Sequence, residues 1–399
     1  MKRLLVLAAM IFCCLSAFAQ RAEFDFSFGE YGKRALIRLP RVQKEVKAVL
    51  YCHQNMTEEV LFRSPTFCTR MDELGVAMAF IQSGSQNWDV SSGCQERFDM
   101  IMKTFAEETE HPEIETAPII PFGHSAQATF PWNFAAWNPD RTLCVISYHG
   151  DAPRTNLCGY GRANLEWGRT RNIDLIPGLM IMGEYEWWEA RLLPALAFQM
   201  MYPDSRISFL CDAGKGHFDL CPQTQEYIAL FIEKALSDPR PAGGCRYSRW
   251  FEDGSVTADP HEQFWYQDEE MVALTKARYA EHQGKKTQYL SAKFNGKMLV
   301  YDASKHIKSN AVCEGDEFTV EPVFVDESRN SVSNEHAQVC PRVVLVSGPA
   351  IQTSEYTFRL DPDYFGKDPN RLWTGITVCI EADGDSCYKP AVQELNIQF

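Results

Sequence analysis

The chain has 399 residues, of which 45% are hydrophobic and 23% charged, and its formal net charge is -14 at pH 7. Because this length exceeds what one hydrophobic core usually organises, we expect two domains. The acidic balance, with no Lys/Arg run interleaved with aromatic residues, excludes nucleic acid and an anionic membrane surface as expected partners.

Residues 1–19 have the pattern of a secretory signal peptide. Lys2 and Arg3 precede an apolar segment at residues 4–15, and Ala17-Phe18-Ala19 supplies the small residues of a cleavage site. This apolar segment is shorter than the roughly 20 residues that span a bilayer, and no other segment is apolar enough to enter a membrane. We therefore expect a chain exported to the periplasm or the extracellular space, without membrane insertion.

Between residues 20 and 238, short apolar runs alternate with longer amphipathic ones. The apolar runs predict strands at 35–39, 48–52, 76–81, 117–122, 143–148, 179–182 and 207–210. The stretches between them predict helices at 58–74, 94–109, 126–137, 189–201 and 224–236. Continuous Val/Ile/Leu runs are typical of strands covered on both faces. The pattern therefore predicts an α/β domain with a doubly wound, mostly parallel sheet over residues 20–238.

The Pro- and Gly-rich residues 238–244 predict a linker, and the pattern changes after it. A helix is predicted at 268–282, and short strands follow at 318–325, 342–346, 356–360, 375–380 and 395–399. Asn295-Gly296, between two apolar runs, predicts a hairpin. We therefore expect a smaller all-β, Ig-like sandwich domain with a leading helix over residues 239–399.

Loss of the signal segment, which holds Cys13 and Cys14, leaves an even number of the chain's 14 cysteines. An oxidising compartment permits disulfides, but their pairing does not follow from the sequence. Cys52 and Cys211 lie inside strand patterns and are expected to be free buried thiols. No cysteine or histidine cluster has zinc-ligand spacing, so we predict no metal site.

The segment Phe122-Gly123-His124-Ser125-Ala126 joins a predicted strand directly to a predicted helix. A serine on so sharp a turn presents its hydroxyl at the carboxyl end of the strand, and crowding of the turn explains the glycine two residues earlier. The backbone N–H of Ala126 would then point toward an acyl oxyanion. A second Gly-x-Ser, ending at Ser386, lies between strand patterns and is interpreted as a turn. An ordinary loop is the alternative interpretation for Ser125.

A nucleophilic serine needs a base, and we expect it after the last predicted strand of the α/β domain, where His217 follows a glycine-rich turn. The acid that orients the histidine is expected after the preceding strand, in a turn with two carboxylates. Glu186 is the predicted acid, and Glu184 stays open as the alternative. Asp212 and Asp219 are expected to serve loop hydrogen bonds.

Serine, acid and histidine follow one another along the chain, each after a strand. In this arrangement the segment at residues 22–236 resembles the α/β-hydrolase superfamily. The resemblance implies that Ser125, Glu186 and His217 form the catalytic triad of a serine hydrolase that needs no cofactor.

The same resemblance implies a second oxyanion donor in the loop after the third strand of the superfamily's sheet. That loop reads Cys52-His53-Gln54-Asn55-Met56 here, and the backbone N–H of Asn55 or Met56 matches the donor. His53 matches a loop histidine that is usually structural. The sequence departs from the superfamily at two positions. Gln127 stands two places after the serine, where a small residue is usual, and Gln54 stands after the loop histidine, where glycine is usual. Both departures concern the oxyanion geometry.

Aromatic residues crowd the predicted mouth of the site. Trp187 and Trp188 adjoin the acid turn, Trp132 lies on the helix after the serine, and Tyr148 ends a strand. Aromatic faces suit stacking on sugar rings, so these residues are candidates for substrate binding, as is His149 for lining the pocket. Core packing is the alternative for each of them. Residues 151–172 predict a polar lid.

Export and a β-rich C-terminal region extend the resemblance to bacterial carbohydrate esterases. They imply a carboxylic ester of a small molecule or a glycan as substrate. A peptidase or lipase on the same fold stays open, as does a glycan-binding protein without catalysis, which Gln127 motivates.

Overall fold

The computed structural model describes residues 23–28, 33–41, 45–55, 57–82, 86–156, 164–184, 186, 188–212, 215–217, 220–246, 261, 263–280, 288–299, 317–325, 341–348, 350–360, 375–384 and 388–398. The predicted signal peptide lies outside these residues. Within them, no helix combines the length and the apolar character that crossing a membrane requires.

The centre of the fold is one sheet of eight strands. These are β1 (Glu23–Phe28), β2 (Lys33–Arg38), β3 (Ala48–His53), β4 (Val76–Ile81), β5 (Ile119–His124), β6 (Val145–Tyr148), β7 (Pro177–Gly183) and β8 (Arg206–Asp212). Their order in the sheet is β1-β2-β4-β3-β5-β6-β7-β8. β1 and β2, and β2 and β4, pair antiparallel, whereas all neighbours from β4 to β8 pair parallel. The predicted doubly wound, mostly parallel α/β class is confirmed.

Helices lie on both faces of this sheet and beside it. They are α1 (Glu58–Arg63), α2 (Pro65–Leu74), α3 (Cys94–Thr109), α4 (Phe130–Trp137), α5 (Trp188–Met201), α6 (Pro222–Ser237) and α7 (Glu269–Ala280). The helix predicted at 58–74 is divided at Ser64, whose hydroxyl caps α2 by accepting a hydrogen bond from the Phe67 N–H at 3.3 Å. The helix predicted from residue 126 begins only at Phe130, because residues 125–127 form a 3-10 turn.

Successive residues of the central strands enter two hydrophobic cores on opposite faces of the sheet. In β3, Leu50 packs in the first core, with Phe67 of α2, while Val49 and Tyr51 pack in the second, with Phe98 of α3. Side chains alternate between the faces of a strand, so a strand covered on both faces is apolar throughout. This explains the continuous apolar runs in the sequence.

The edge strand β1 was not predicted. Its sequence, Glu-Phe-Asp-Phe-Ser-Phe, alternates apolar and polar residues, as in a strand with one covered face. Phe24 and Phe26 pack against the second core, and β1 pairs with β2 along its whole length.

The segment after the predicted linker packs on the main sheet. It contains the short strands β9 (Cys245–Arg246) and β10 (Trp265–Tyr266), followed by α7. The hydroxyl of Tyr266 donates to the carbonyl of Phe209 in β8 at 2.6 Å, and Met271 of α7 lies in the first core. Residues on both sides of the predicted division at 238, such as Ile232 and Met271, lie in the same hydrophobic core, and the domain boundary stays a prediction.

Two antiparallel sheets form the C-terminal region, as the predicted all-β character requires. Their strands are β11 (Tyr289–Phe294), β12 (Lys297–Met298), β13 (Glu317–Val325), β14 (Arg342–Ser347), β15 (Ala350–Gln352), β16 (Thr357–Leu360), β17 (Gly375–Ala382) and β18 (Ala391–Gln398). The orders are β12-β11-β13-β16-β15 and β14-β17-β18. The predicted hairpin joins β11 to β12 through Asn295 and Gly296, whose φ values are 46° and 75°. The two sheets share one hydrophobic cluster, whereas the Ig-like topology stays a prediction.

Two cysteines have the environment expected from their strand patterns. Cys52 and Cys211 are both buried, and Cys52 is a free thiol. Burial raises the pKa of the Cys52 thiol well above its ordinary value, so this sulfur stays protonated and unreactive at neutral pH.

Candidate active site

The parallel register brings the carboxyl ends of four strands to one edge of the sheet. His124 at the end of β5 pairs with Tyr148 of β6, and Gly183 at the end of β7 pairs with Asp212 of β8. Loops that follow these strands therefore meet above the same edge, where ligands bind in open α/β sheets.

Ser125 follows β5 in a strained conformation. Its φ is 53°, in the left-handed region that non-glycine residues rarely adopt. The turn is so tight that a Cβ at Gly123 would lie 2.1 Å from the carbonyl oxygen of Gln127. Glycine is thus required two residues before the serine, for the steric reason that the sequence suggested.

The structure brings together the three predicted members of the triad. The Ser125 hydroxyl lies 2.7 Å from Nε2 of His217, and Nδ1 of the same imidazole contacts Oε1 of Glu186. A carboxylate only accepts hydrogen bonds, so Nδ1 carries the proton and Nε2 is the acceptor for the serine. The serine proton thus has a base in hydrogen-bonding reach, and the base has an anionic partner.

Glu186 has two further contacts besides the one with His217. The Gly183 N–H donates to Oε2 at 2.8 Å, and Nδ1 of the buried His149 lies 2.7 Å from the same oxygen. Burial tends to raise the pKa of this carboxyl, but the imidazoles of His149 and His217 outweigh it and hold the pKa of Glu186 well below its usual range. The acid is therefore ionised whenever the protein is folded at neutral pH.

The alternative acid, Glu184, has a different partner. Its carboxylate lies 2.5 and 2.7 Å from Nζ of Lys389 in the C-terminal region. Asp212 accepts from the Thr224 hydroxyl of α6 at 2.5 Å and pairs with Arg278 of α7, so its side-chain partners lie in two helices instead of in a loop. Asp219 lies outside the described residues.

Hydrogen bonds at both the N–H and the carbonyl of His124 fix the backbone directly before Ser125. The His124 N–H donates to Oε1 of the buried Glu58 at 2.8 Å, and its carbonyl accepts from Nδ2 of Asn55 at 2.6 Å. The His124 side chain reaches the histidine loop, because Nε2 donates to the carbonyl of His217 at 2.7 Å. Burial, with the neighbouring His217 and His149, lowers the pKa of His124 well below its ordinary value and keeps its imidazole neutral.

The predicted oxyanion donors are only partly described. Ala126 directly follows Ser125 in the 3-10 turn, and Asn55 lies in the loop between β3 and α1. The Asn55 side chain donates to the His124 carbonyl, and the oxyanion role of the Asn55 backbone N–H stays a prediction. Met56 lies outside the described residues. His53 is buried and stacks on Phe130, with ring centroids 4.2 Å apart, as a structural residue should.

Three predicted substrate-binding residues are buried, and the prediction is wrong for each. Trp132 is 1% exposed, and its indole N–H donates to the Asp151 carbonyl at 2.6 Å, so it packs in the first core. Tyr148 has no exposed surface because its ring lies against Phe122 and His149. His149 contacts Glu186 instead of lining a pocket.

The remaining candidates for substrate binding lie largely outside the residues that the structure describes. Trp187 is outside the described residues, and Trp188 is described only as the first residue of α5. The middle of the predicted lid, residues 157–163, is likewise outside them. At its described end, Trp167 is buried and donates to Oδ1 of Asn133 at 2.7 Å.

One group among the described residues offers three ligands to a metal ion. Ring nitrogens of His124, His149 and His217 lie within 4.8 Å of one another. These imidazoles contact a backbone carbonyl, the Glu186 carboxylate and the Ser125 hydroxyl, so a metal would have to displace the proposed proton-transfer contacts.

Sequence reasoning missed the roles of Glu58, His124 and His149. Glu58 begins an apolar helix that follows a loop, and a fully buried glutamate there gives no local signal of its partner 66 residues away. His124 ends β5 and His149 follows β6, which placed both residues near the site but did not show which atoms they contact.

The sequence matches no protein-family model and no curated protein. Solved structures with a similar fold include a soluble variant of monoglyceride lipase from Saccharomyces cerevisiae, with a TM-score of 0.38 and 10% identity over 56% of this chain and 97% of that one. An esterase from Pyrobaculum calidifontis has a TM-score of 0.38 and 15% identity over 58% of this chain and 91% of that one. An arylesterase has a TM-score of 0.39 and 11% identity over 55% of this chain and 85% of that one. Likenesses this low carry no information about the reaction, and the fold class follows from the sheet itself.

Proposed function

We propose that the protein is a serine hydrolase that cleaves carboxylic esters through an acyl-enzyme. The observation that carries the proposal is the continuous contact from the Ser125 hydroxyl through His217 to Glu186, at the edge where four parallel strands end. A serine on a strained turn, an imidazole in contact with it and a buried carboxylate are the parts that acyl transfer needs.

In the proposed first step, the Ser125 oxygen attacks the ester carbonyl while its proton moves to Nε2 of His217. Glu186 stabilises the imidazolium that forms and stays ionised, since two imidazoles and the Gly183 N–H hold its charge. The backbone N–H groups of Ala126 and of the Asn55 loop are the proposed donors to the oxyanion. The tetrahedral intermediate then collapses, and the alcohol leaves with the proton from His217.

The second step returns the enzyme to its starting state. Water loses a proton to His217 and attacks the acyl carbonyl, and Ser125 leaves with that proton as the carboxylic acid is released. No step needs a cofactor.

The finer proposal concerns the substrate and the location. Export of the mature chain is supported by the signal-peptide pattern at residues 1–19, and an acyl-decorated glycan by Trp187-Trp188 beside the acid turn. The burial of Trp132 and Tyr148 removes part of the aromatic support for a glycan. A small carboxylic ester is therefore the first substrate to test.

The experiment compares p-nitrophenyl acetate hydrolysis by the mature chain, Ser125→Ala and the control Ser386→Ala, which changes the other Gly-x-Ser. We expect turnover in the wild type and the control, and its loss in Ser125→Ala. Equal turnover in all three chains, or none in any folded chain, would contradict the proposal and favour a binding protein.

A further inference from the structure

Two buried lysines connect the C-terminal sheets to the loops that carry Glu186 and His217. The first is Lys389, in the connection between β17 and β18. Its Nζ lies 2.5 and 2.7 Å from the two carboxylate oxygens of Glu184, two residues before Glu186. Lys389 is only 6% exposed and the Glu184 side chain is 28% exposed, so the ammonium is largely removed from solvent while the carboxylate stays partly accessible.

The second lysine reaches in the opposite direction. Lys215 lies two residues before His217, and its Nζ donates to the carbonyl of Val392 in β18 at 3.2 Å. Lys215 is 5% exposed. Each of the two loops is thus tied to the same hairpin, β17–β18, by a separate contact.

The two loops also pack directly on each other. The Glu184 N–H donates to the Asp212 carbonyl at 3.1 Å, and the Lys215 N–H donates to that same carbonyl at 3.2 Å. A Cβ at Gly183 would lie 2.5 Å from the carbonyl oxygen of Lys215. A displacement of either loop would therefore move the other one.

Burial of an ammonium group is unfavourable unless charged or polar partners replace its water. Lys389 meets this condition through Glu184, and Lys215 through the Val392 carbonyl. The Lys389 backbone is fixed in turn, because Gln288 Nε2 donates to its carbonyl at 2.7 Å. The ammonium of Lys389 thus has a defined position from which it fixes the acid loop.

We propose that Lys389 and Lys215 are positioning residues, through which the β17–β18 hairpin holds Glu186 and His217 at the distances that proton transfer requires. The inference rests on the proposed hydrolase function and gives the C-terminal region a part in it. Misplacement of a catalytic group by about 1 Å is enough to lower a rate by about 100-fold, so a remote contact of this kind can control turnover.

The test compares three chains: Lys389→Met, Glu184→Gln, and a double variant that carries both Glu184→Lys and Lys389→Glu. The matched control is Arg342→Met, which removes an exposed ion pair with Glu381 in the same three-stranded sheet. Each chain is measured for kcat and KM on p-nitrophenyl acetate, and for hydrogen exchange of peptides that cover residues 183–186 and 215–217.

In Lys389→Met and Glu184→Gln we expect faster exchange of both loops and a kcat lower by about tenfold to 100-fold, with KM changed less than twofold. The exchanged pair should recover most of the loss, and Arg342→Met should behave as the wild type. Loop exchange and kcat that match the control in both single variants would overturn the inference.

The hydrogen-exchange comparison remains decisive if no chain turns over the ester, because it does not depend on activity. Absent turnover in the wild type would contradict the proposed function, whereas unchanged loop exchange would contradict the positioning role of Lys389. If Lys389→Met does not fold, Glu184→Gln keeps the same contact under test.

Discussion

His149 and Glu186 form a buried contact through the carboxylate oxygen that does not contact His217. Nδ1 of His149 lies 2.7 Å from Oε2, whereas Oε1 is the atom that contacts Nδ1 of His217. The His149 side chain has no exposed surface, and the Gly183 N–H fixes Oε2 as well. The carboxylate therefore cannot rotate away from His217 without breaking two other contacts.

This contact predicts that His149→Phe lowers kcat while KM changes little. The variant loses one of the contacts that hold Oε2, and misplacement of a catalytic group by about 1 Å can lower a rate by about 100-fold, so we expect kcat to fall by about tenfold to 100-fold. His149→Asn is the matched control, since its amide can place a donor near the position of Nδ1 and should retain more activity. Equal activity of the Phe variant and the wild type would contradict a role for His149 in holding Glu186.

The ionisation of Glu186 predicts a difference in acid stability between the wild type and Glu186→Gln. The unfolded carboxyl has a pKa of about 4.3, and the folded one lies well below its usual range because His149 and His217 outweigh burial. A lowered folded-state pKa stabilises the fold above the unfolded pKa, and this contribution is lost as the pH falls through the folded pKa.

The wild type should therefore melt at a higher temperature than Glu186→Gln, and the difference between the two melting temperatures should be largest at neutral pH. The difference should shrink between about pH 5 and about pH 3. Thermal unfolding followed by circular dichroism measures it. A difference in melting temperature that is constant over this pH range would contradict a lowered pKa of Glu186 in the folded state.

Glu58 predicts a stability effect at the nucleophile turn. Its Oε1 accepts the N–H of His124, and its side chain is fully buried. Glu58→Leu leaves that N–H without this acceptor and should lower the free energy of unfolding by about 1–3 kcal/mol. Glu58→Gln keeps a carbonyl oxygen at the same position and should be closer to the wild type. Chemical denaturation of both variants gives the comparison, and equal losses would assign the effect to charge instead of to the hydrogen bond.

Gly123 predicts a steric effect on the same turn. A Cβ there would lie 2.1 Å from the Gln127 carbonyl oxygen, so Gly123→Ala must displace the backbone beside Ser125. We expect a loss of about 1–3 kcal/mol in stability together with loss of turnover. Gly243→Ala is the control, because a Cβ there meets nothing within 4 Å. Full activity in Gly123→Ala would show that the turn tolerates a different backbone path.

The sequence predicted the sheet and the proximity of Ser125, Glu186 and His217, because both depend on local order along the chain. Continuous apolar runs marked strands covered on two faces, and the carboxyl ends of parallel strands meet at one edge. Ser125, Glu186 and His217 each follow such an end, so their proximity required no knowledge of side-chain packing.

Burial and distant contacts were not predictable in the same way. Trp132 and Tyr148 lie near the site along the chain, but a single residue does not indicate which side of its element faces the core. Glu184 and Lys389 are 205 residues apart, and no sequence pattern relates them. The helix α7 follows the Pro- and Gly-rich residues that predicted a linker, yet its residue Met271 lies in the first core. The change of composition at the linker could not indicate which core the next helix joins.

The most direct measurement of the central claim is covalent labelling of the mature chain with a fluorophosphonate, followed by peptide mass mapping. The account predicts one adduct on Ser125, its loss in Ser125→Ala and slow labelling in His217→Ala, because the imidazole is the base that activates the serine. Labelling of another serine, or no labelling of the folded wild type, would contradict the assignment of Ser125 as the nucleophile.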